Sequence, residues 1–188
     1  MDIVKNWFWQ YDHAIDEKLC DYFIEWFKED MAKTGKVGFG KMQNNYAQDI
    51  RRNTNCFYHE TTPLAHIMYG FMEDANKYAE WDFKIGRRES VQISKYDSKD
   101  KGCYDWHLDT FAPDNIGYQR KLTGVLLLSD PNEFEGGQLR IGRENTNPTL
   151  QHKGSLVVFP SYMEHKVEEV TKGTRYSVVA WAWGNAFK

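Results

Sequence analysis

The chain has 188 residues, enough for one folded domain over residues 1–188 but short for two. Its 24 basic and 27 acidic residues are spread along the chain and leave a net charge of −3, so neither nucleic acid nor an anionic membrane is an expected partner. The three cysteines, Cys20, Cys56 and Cys103, are an odd number without paired spacing, which argues against a disulfide framework and against a cysteine zinc site. Without an apolar signal or membrane-spanning run, we expect a cytoplasmic protein.

Two amphipathic helices are predicted in the first half of the chain. Asp16 is suited to cap a helix whose apolar residues recur every three or four positions. That stripe consists of Leu19, Tyr22, Phe23, Trp26, Phe27 and Met31. A second helix begins at Thr62 with Pro63 in its first turn, where the missing N–H costs nothing. Its stripe consists of Leu64, Ile67, Met68, Phe71, Met72, Ala75 and Tyr78, and both helices are expected to pack on a sheet.

Residues 34–48 carry three glycines and no sustained hydrophobic period, which indicates a loop between the helices. Such a loop can close over a substrate as a lid or serve as a plain surface connection, and the sequence does not choose between the two.

From residue 89 the chain consists of short runs rich in β-branched and aromatic residues, separated by turn residues. The predicted strands cover residues 90–96, 106–109, 121–129, 138–141, 155–159, 164–170 and 174–183. No helical period intervenes, so the pattern favours an antiparallel sandwich or barrel over alternating strands and helices. We expect residues 86–188 to form this β core, supported by helices and first strands in residues 1–85.

His107 and Asp109 are two positions apart in a strand-like run, so both side chains are expected on one face. A third metal ligand is required, and His165 at the start of a predicted strand is a better candidate than His152 in a polar turn. Two histidines and one carboxylate form the facial triad of non-haem Fe(II) oxygenases, which leaves coordination positions open for substrate and oxygen. The sequence therefore predicts an iron centre.

Arg175 and Ser177 are also predicted to share one face of a strand. The apolar residues around them indicate that this strand is buried, and a guanidinium beside a hydroxyl is suited to bind a carboxylate. A dicarboxylate with one end on the metal would fit both groups.

These motifs resemble the 2-oxoglutarate/Fe(II) oxygenases of the prolyl 4-hydroxylase-like type, especially the small bacterial hydroxylases that use arginine to bind 2-oxoglutarate. The resemblance runs from about residue 90 to 184, in family order and near family spacing. The matching stretches are Tyr96 and residues 104–109, 120–131, 134–139, 153–160 and 165–181. It implies a mainly β (α+β) fold, the double-stranded β-helix or jelly roll, with supporting N-terminal helices.

The resemblance also implies a role for each matching residue. His107, Asp109 and His165 would bind iron, and Arg175 would pair with the far carboxylate of 2-oxoglutarate. The cosubstrate would also receive a hydrogen bond from Tyr96 and assistance from Ser177. Arg120 would lie beside the substrate, although a solvated arginine at a strand end is the alternative. For Trp106 and Trp181, packing in the core is the expected role.

The implied activity is hydroxylation of a substrate C–H bond with release of succinate and CO2, using Fe(II), 2-oxoglutarate and O2, with ascorbate as a further reductant. The substrate is a peptide, a protein or a small molecule, with peptidyl proline the first candidate. Residues 34–48 and 110–119 would form the rim of the pocket. Two alternatives remain open: a non-catalytic jelly-roll module with a vestigial triad or a structural zinc, and a cupin-type metal dioxygenase that does not use 2-oxoglutarate. The sequence does not indicate an oligomeric state.

Overall fold

The computed structural model describes residues 6–36, 50–142 and 150–187. Helix α1 spans Glu17–Ile24, and the Asp16 side chain caps it by accepting a hydrogen bond from the Lys18 N–H at 2.9 Å. The predicted cap is confirmed, but the predicted length is wrong. The helix ends at Ile24, and the chain continues in tight turns, in which Met31 is exposed. Tyr22, within the helix, is also exposed, so both lie off the buried face.

Helix α2 spans Pro63–Tyr78 and begins as predicted, with the Thr62 hydroxyl accepting a hydrogen bond from the Ala65 N–H. Its buried residues are Leu64, Ala65, Met68, Tyr69, Met72 and Ala75. Four of them belong to the predicted stripe. The expectation was wrong for Tyr78, whose side chain is 57% exposed at the end of the helix.

Thirteen strands make up most of the regular structure of the described residues. They are β1 Trp9–Tyr11, β2 Lys33–Thr34, β3 Arg51–Arg52, β4 Thr54–Tyr58, β5 Ile85–Arg88, β6 Val91–Asp97, β7 Cys103–His107, β8 Tyr118–Leu127, β9 Phe134–Gly136, β10 Leu139–Ile141, β11 Leu156–Pro160, β12 His165–Val167 and β13 Val170–Asn185. The predicted strands thus all have a counterpart, with shifted ends. The short strands β1 to β5 and β9 were not located from the sequence.

Two antiparallel sheets form the framework of the described residues. The larger has the strand order β1-β11-β8-β13-β6-β4-β2, with β5 and β9 also paired to β13. The smaller has the order β10-β12-β7-β3. This arrangement confirms the predicted double-stranded β-helix with supporting helices.

Alternating residues of β8 and β11 separate two hydrophobic clusters. Leu126 and Val158 belong to the cluster on the helix side of the larger sheet. Val125 and Val157, one position away, belong to a second cluster that includes residues of the smaller sheet. Because successive side chains of a strand point to opposite faces, one pair of strands holds both clusters together.

The structure bears on the predicted strand 106–109 and on the predicted loop 34–48. The predicted strand 106–109 included Asp109. In the structure, strand β7 ends at His107, so this prediction was wrong and Asp109 lies just beyond the strand. Within the predicted loop 34–48, Thr34 belongs to β2. Residues 37–48 lie outside the described residues, so the prediction that this loop forms a lid also lies outside them.

The assignment of residues 1–188 to one domain divided near residue 85 stays a prediction. Neither of the described helices has the length and apolar character needed to cross a bilayer.

Leu126 tests the helix-side cluster. The substitution Leu126→Ala removes a fully buried side chain and should lower the free energy of unfolding by about 2–5 kcal/mol, measured by urea denaturation. The control Ile116→Ala removes a side chain that is 70% exposed, and we expect a change within about 0.5 kcal/mol. Similar values for the two variants would contradict the assignment of Leu126 to the core.

Candidate metal centre

Strand pairing brings the predicted metal ligands together. His107 is the last residue of β7 and His165 the first residue of β12, and the antiparallel register places them opposite each other with ring centroids 4.1 Å apart. Asp109 follows two positions after His107, with its carboxylate oxygens 3.7 Å from His107 Nε2 and 3.3 Å from His165 Nε2. One ligand atom from each of the three residues lies within 4.8 Å of the others. The three groups can therefore share one metal ion.

Two hydrogen bonds hold the Asp109 carboxylate in place. Its Oδ2 atom accepts from the Thr123 hydroxyl at 2.9 Å and from the Trp181 indole N–H at 2.9 Å. The Asp109 backbone N–H donates to the Ser161 carbonyl at 3.1 Å, which fixes the turn after β7. Trp181 was expected to pack in the core, and it is buried, with 7% of its surface exposed. Its indole N–H has a further role, because it orients a predicted ligand.

Backbone carbonyls determine which nitrogen of each imidazole faces the centre. His107 Nδ1 lies 2.8 Å from the Asp105 carbonyl, and His165 Nδ1 lies 2.9 Å from the Met163 carbonyl. A carbonyl only accepts hydrogen bonds, so Nδ1 carries the proton and Nε2 presents its lone pair to the centre. Such outer contacts are typical of metal-binding histidines.

The protonation states of the site suit metal binding. Burial lowers the pKa of His107 to about 3, and the neighbouring His165 acts in the same direction. Burial alone would raise the pKa of Asp109, but His165, His107 and Arg120 outweigh it and bring that pKa well below its usual range. Near neutral pH the His107 imidazole is uncharged and the Asp109 carboxylate ionised, as coordination requires.

Arg175 lies in the same cavity, buried to 1% exposure. One guanidinium nitrogen donates to the Ser177 hydroxyl at 2.9 Å, and the other terminal nitrogen, also buried, has no hydrogen-bond partner. The guanidinium carbon lies 5.5 Å from the centroid of the buried Tyr96 ring. Burial lowers the pKa of Arg175, but an arginine side chain remains charged in a protein. A buried cation with an unpaired N–H is costly unless an anion binds there.

Gly137 leaves room for this guanidinium. It has a φ of +68°, and a Cβ atom at this position would lie 2.9 Å from Arg175 Cδ. A larger residue would therefore be strained and would press on the Arg175 side chain. Gly136 ends β9 and Gly137 follows it, so the chain passes close to the guanidinium of the predicted anion site at this point.

Arg120 also lines this cavity. Its guanidinium forms two hydrogen bonds to the Glu89 carboxylate, at 2.9 and 2.6 Å, and lies 4.1 Å from the centroid of the Trp181 ring system. The Trp183 indole N–H donates to the same carboxylate at 2.7 Å. The alternative of a solvated arginine is wrong, because Arg120 is only 7% exposed and lines the cavity.

All seven residues proposed from the sequence line one cavity of about 240 Å³. Sequence reasoning missed Thr123 and Glu89. Thr123 had a signal, since it is a hydroxyl residue within the apolar run of β8. Glu89 had none, because its partners Arg120 and Trp183 lie 31 and 94 positions away. Trp106 is half-buried and lies outside both hydrophobic clusters, so the expectation of core packing was wrong.

Comparisons with known proteins agree with this geometry. Residues 91–183 match the model of the 2OG-Fe(II) oxygenase superfamily. A PKHD-type hydroxylase of Prochlorococcus marinus is 40% identical over 101 residues, which cover 53% of this chain and 44% of that protein. The PKHD-type hydroxylase PiuC of Pseudomonas aeruginosa is 36% identical over 87 residues, covering 43% of this chain and 38% of the relative. The chain thus matches less than half the length of these curated relatives.

Solved structures share the fold over nearly the whole chain. The viral collagen prolyl hydroxylase of Paramecium Bursaria Chlorella virus-1, in its 2OG complex, aligns with a TM-score of 0.71 at 15% identity, covering 95% of this chain and 97% of that one. A prolyl-4-hydroxylase of Pseudomonas putida aligns with a TM-score of 0.66 at 20% identity, covering 96% and 94%. At 15% and 20% identity, these structures show the fold alone. The family match shows that this chain belongs, through residues 91–183, to the 2OG-Fe(II) oxygenase superfamily, and its ligand set fits the cofactors of that family, Fe(II) and 2-oxoglutarate.

Thr123 tests how the carboxylate is held. The substitution Thr123→Val keeps the shape of the side chain but removes the hydroxyl that donates to Asp109. Loss of such an outer contact should weaken Mn(II) binding about 10- to 100-fold, measured by electron paramagnetic resonance titration. The control is Thr171→Val at an exposed position of β13, which should leave the affinity unchanged. An unaltered affinity in Thr123→Val would show that the hydroxyl does not support the metal site.

Proposed function

We propose that this protein is an Fe(II)- and 2-oxoglutarate-dependent dioxygenase that hydroxylates a C–H bond of its substrate, with release of succinate and CO2. The observation that carries the proposal is the buried guanidinium of Arg175, with one nitrogen unpaired, in the same cavity as three converging metal ligands. A metal triad alone suits several kinds of protein. A triad beside an unneutralised buried cation suits a cosubstrate that is both a chelator and an anion.

In this proposal His107, Asp109 and His165 hold the iron. They supply three ligands, and among the described residues no fourth histidine, cysteine or carboxylate joins the group. A structural zinc site usually has four protein ligands, so three favour a reactive metal centre over a non-catalytic module. Two imidazoles and one carboxylate are also the donor set of non-haem Fe(II) oxygenases.

Arg175 and Ser177 are proposed to bind the distal carboxylate of 2-oxoglutarate, with the Tyr96 hydroxyl as a further donor. The unpaired nitrogen of Arg175 then gains an acceptor, and a charge-assisted hydrogen bond replaces a buried orphan N–H. A cupin-type dioxygenase that does not use 2-oxoglutarate has no need of such a cation. The need for a buried cation therefore distinguishes a 2-oxoglutarate-dependent oxygenase from a cupin-type dioxygenase.

When bound, iron and 2-oxoglutarate supply the oxidising chemistry that activates O2 for attack on a C–H bond. The chain's own residues provide position and protection. Thr123 and Trp181 fix the Asp109 carboxylate, and Val125 and Val179 give the cavity apolar lining that limits the entry of water. Arg120, clamped by Glu89, forms the wall where we place the substrate.

The identity of the substrate, the use of ascorbate and the cellular location are more specific proposals. Peptidyl proline remains the first candidate substrate, supported by structural neighbours named as prolyl hydroxylases, one of them solved with a peptide fragment of hypoxia inducible factor. A protein or small-molecule substrate, and ascorbate as an added reductant, also stay predictions. A cytoplasmic location is consistent with three free cysteines.

Arg175 tests the cosubstrate assignment. In Arg175→Gln, loss of charge-assisted hydrogen bonds worth about 1.5–3 kcal/mol each should weaken 2-oxoglutarate binding at least about 10-fold. Affinity for Mn(II) alone should stay within about threefold, because the hydrogen bond of Arg175 goes to Ser177 and not to a metal ligand. Calorimetric titration of the Mn(II)-loaded and metal-free proteins measures both quantities.

The matched control is Arg88→Gln. Arg88 lies on β5, pairs with Glu73 at 2.8 Å and lines neither the cavity that holds the triad nor the adjoining one that Arg175 also lines, so this variant should bind 2-oxoglutarate like the native protein. An equal loss of metal and 2-oxoglutarate binding in Arg175→Gln would mean that Arg175 is structural. Unchanged 2-oxoglutarate binding would refute the assignment.

A further inference from the structure

Another guanidinium, that of Arg51, enters the cavity from strand β3. Its carbon lies 4.4 Å from the centroid of the Tyr104 ring, and that ring stacks on the His107 imidazole with centroids 3.5 Å apart. Arg51 is therefore one aromatic ring away from a metal ligand. Neither the predicted site residues nor the family motifs above include it.

Neutral oxygens hold Arg51 in position. Its Nε donates to Asn53 Oδ1 at 2.8 Å, and its terminal nitrogens donate to the Lys36 carbonyl at 3.0 Å and to Asn55 Oδ1 at 3.5 Å. In the part of the chain that the structure describes, no carboxylate pairs with it. The neighbouring Arg52 differs, because it faces away and pairs with Glu169 at 3.4 Å.

A chain of buried polar side chains supports this arrangement. Asn53 and Asn55 are bonded to each other, the Ser94 hydroxyl donates to Asn55 Oδ1 at 2.9 Å, and the Gln92 amide donates to Ser94 at 2.6 Å. All four side chains are buried, and Gln92 lines the cavity like Arg51. Polar groups buried in this way stabilise a fold less than apolar ones of similar size. These hydrogen bonds fix the positions of Arg51 and Gln92 in the lining of the cavity.

Among the described residues, the charges that line the cavity do not balance without a further anion. These residues contribute four basic and two acidic side chains, namely Lys36, Arg51, Arg120, Arg175, Glu89 and Asp109. Glu89 neutralises Arg120, with both carboxylate oxygens bonded to it. A divalent metal and a dianionic cosubstrate together balance Asp109 and Arg175. Arg51 and Lys36 then remain as positive charges that face the space left for the substrate.

We infer that the primary substrate carries an anionic group of the carboxylate class and that Arg51 binds this group. The inference rests on the proposed function and narrows its substrate. A guanidinium that is preorganised by amides and an aromatic ring, and that has no carboxylate partner in the described ranges, is well suited to pair with a carboxylate. Gln92 lies on the same wall and can bond a polar group next to it. A proline with a free carboxylate, or one beside an acidic residue, satisfies both proposals.

The test compares acids with their amides. The protein is loaded with Mn(II) and N-oxalylglycine, an unreactive analogue of 2-oxoglutarate, so that Arg175 is already occupied. N-acetyl-L-proline and its primary amide are then titrated, followed by the matching pairs made from alanine and leucine, with calorimetry and tryptophan fluorescence as readouts. In the native protein we expect an acid to bind at least about 10-fold tighter than its amide, as one charge-assisted hydrogen bond provides.

The variants assign this preference to Arg51. Arg51→Gln should remove the difference between acid and amide, whereas the control Arg52→Gln should retain it. The inference is overturned if no pair shows a preference for the acid, or if the preference survives in Arg51→Gln. A loss of N-oxalylglycine affinity in Arg51→Gln as large as the loss of acid affinity would place Arg51 in the cosubstrate site and would also overturn it.

The two proposals fail in different ways. If Mn(II) and N-oxalylglycine do not bind at all, the proposed function fails. The acid preference is then measured on the protein without added metal, where the contacts of Arg51 with Asn53 and Asn55 do not depend on either ligand. If both ligands bind and the acid preference is missing, only the inference about the substrate fails.

Discussion

The antiparallel pairing of β7 with β12 is the constraint on which the site depends. It places His107 opposite His165, so the sheet register itself sets the distance between two metal ligands. Asp109 completes the set from the turn after β7, where its backbone is bonded to Ser161. A shift of one residue in this register would turn one imidazole to the other face of the sheet and separate the ligands. The metal centre is thus a direct product of strand pairing.

The long strand β13 joins the metal centre to the rest of the cavity. It pairs with β6 and β8, and its inward residues include Arg175 and Ser177 at one end and Trp181 farther along. One strand therefore presents the proposed anchor of the cosubstrate and a hydrogen-bond donor to Asp109. Burying these polar groups costs stability, which the two hydrophobic clusters on either side of the larger sheet offset. These buried polar groups therefore lie where iron and 2-oxoglutarate are expected to bind.

The sequence predicted those features that depend on local chemistry. Helix caps at Asp16 and Thr62 and the alternation of β13 follow from a few neighbouring residues, and each is confirmed. The end of α1 was misjudged because an apolar stripe at helical spacing continued past the last helical residue in a region of turns. Contacts such as Glu89 with Arg120 depend on which strands become neighbours, and no local pattern predicts them. The ligand set was found because the candidates for the third ligand were few.

A metal triad and an anion anchor in one cavity should together bind iron and 2-oxoglutarate. Anaerobic addition of Fe(II) and 2-oxoglutarate to the metal-free protein, followed by visible absorption, measures this binding. We expect a weak charge-transfer band that requires both additions and that neither produces alone. If no band forms at high protein concentration with both present, the two ligands do not meet in this cavity and the protein is not a 2-oxoglutarate-dependent oxygenase of the proposed kind.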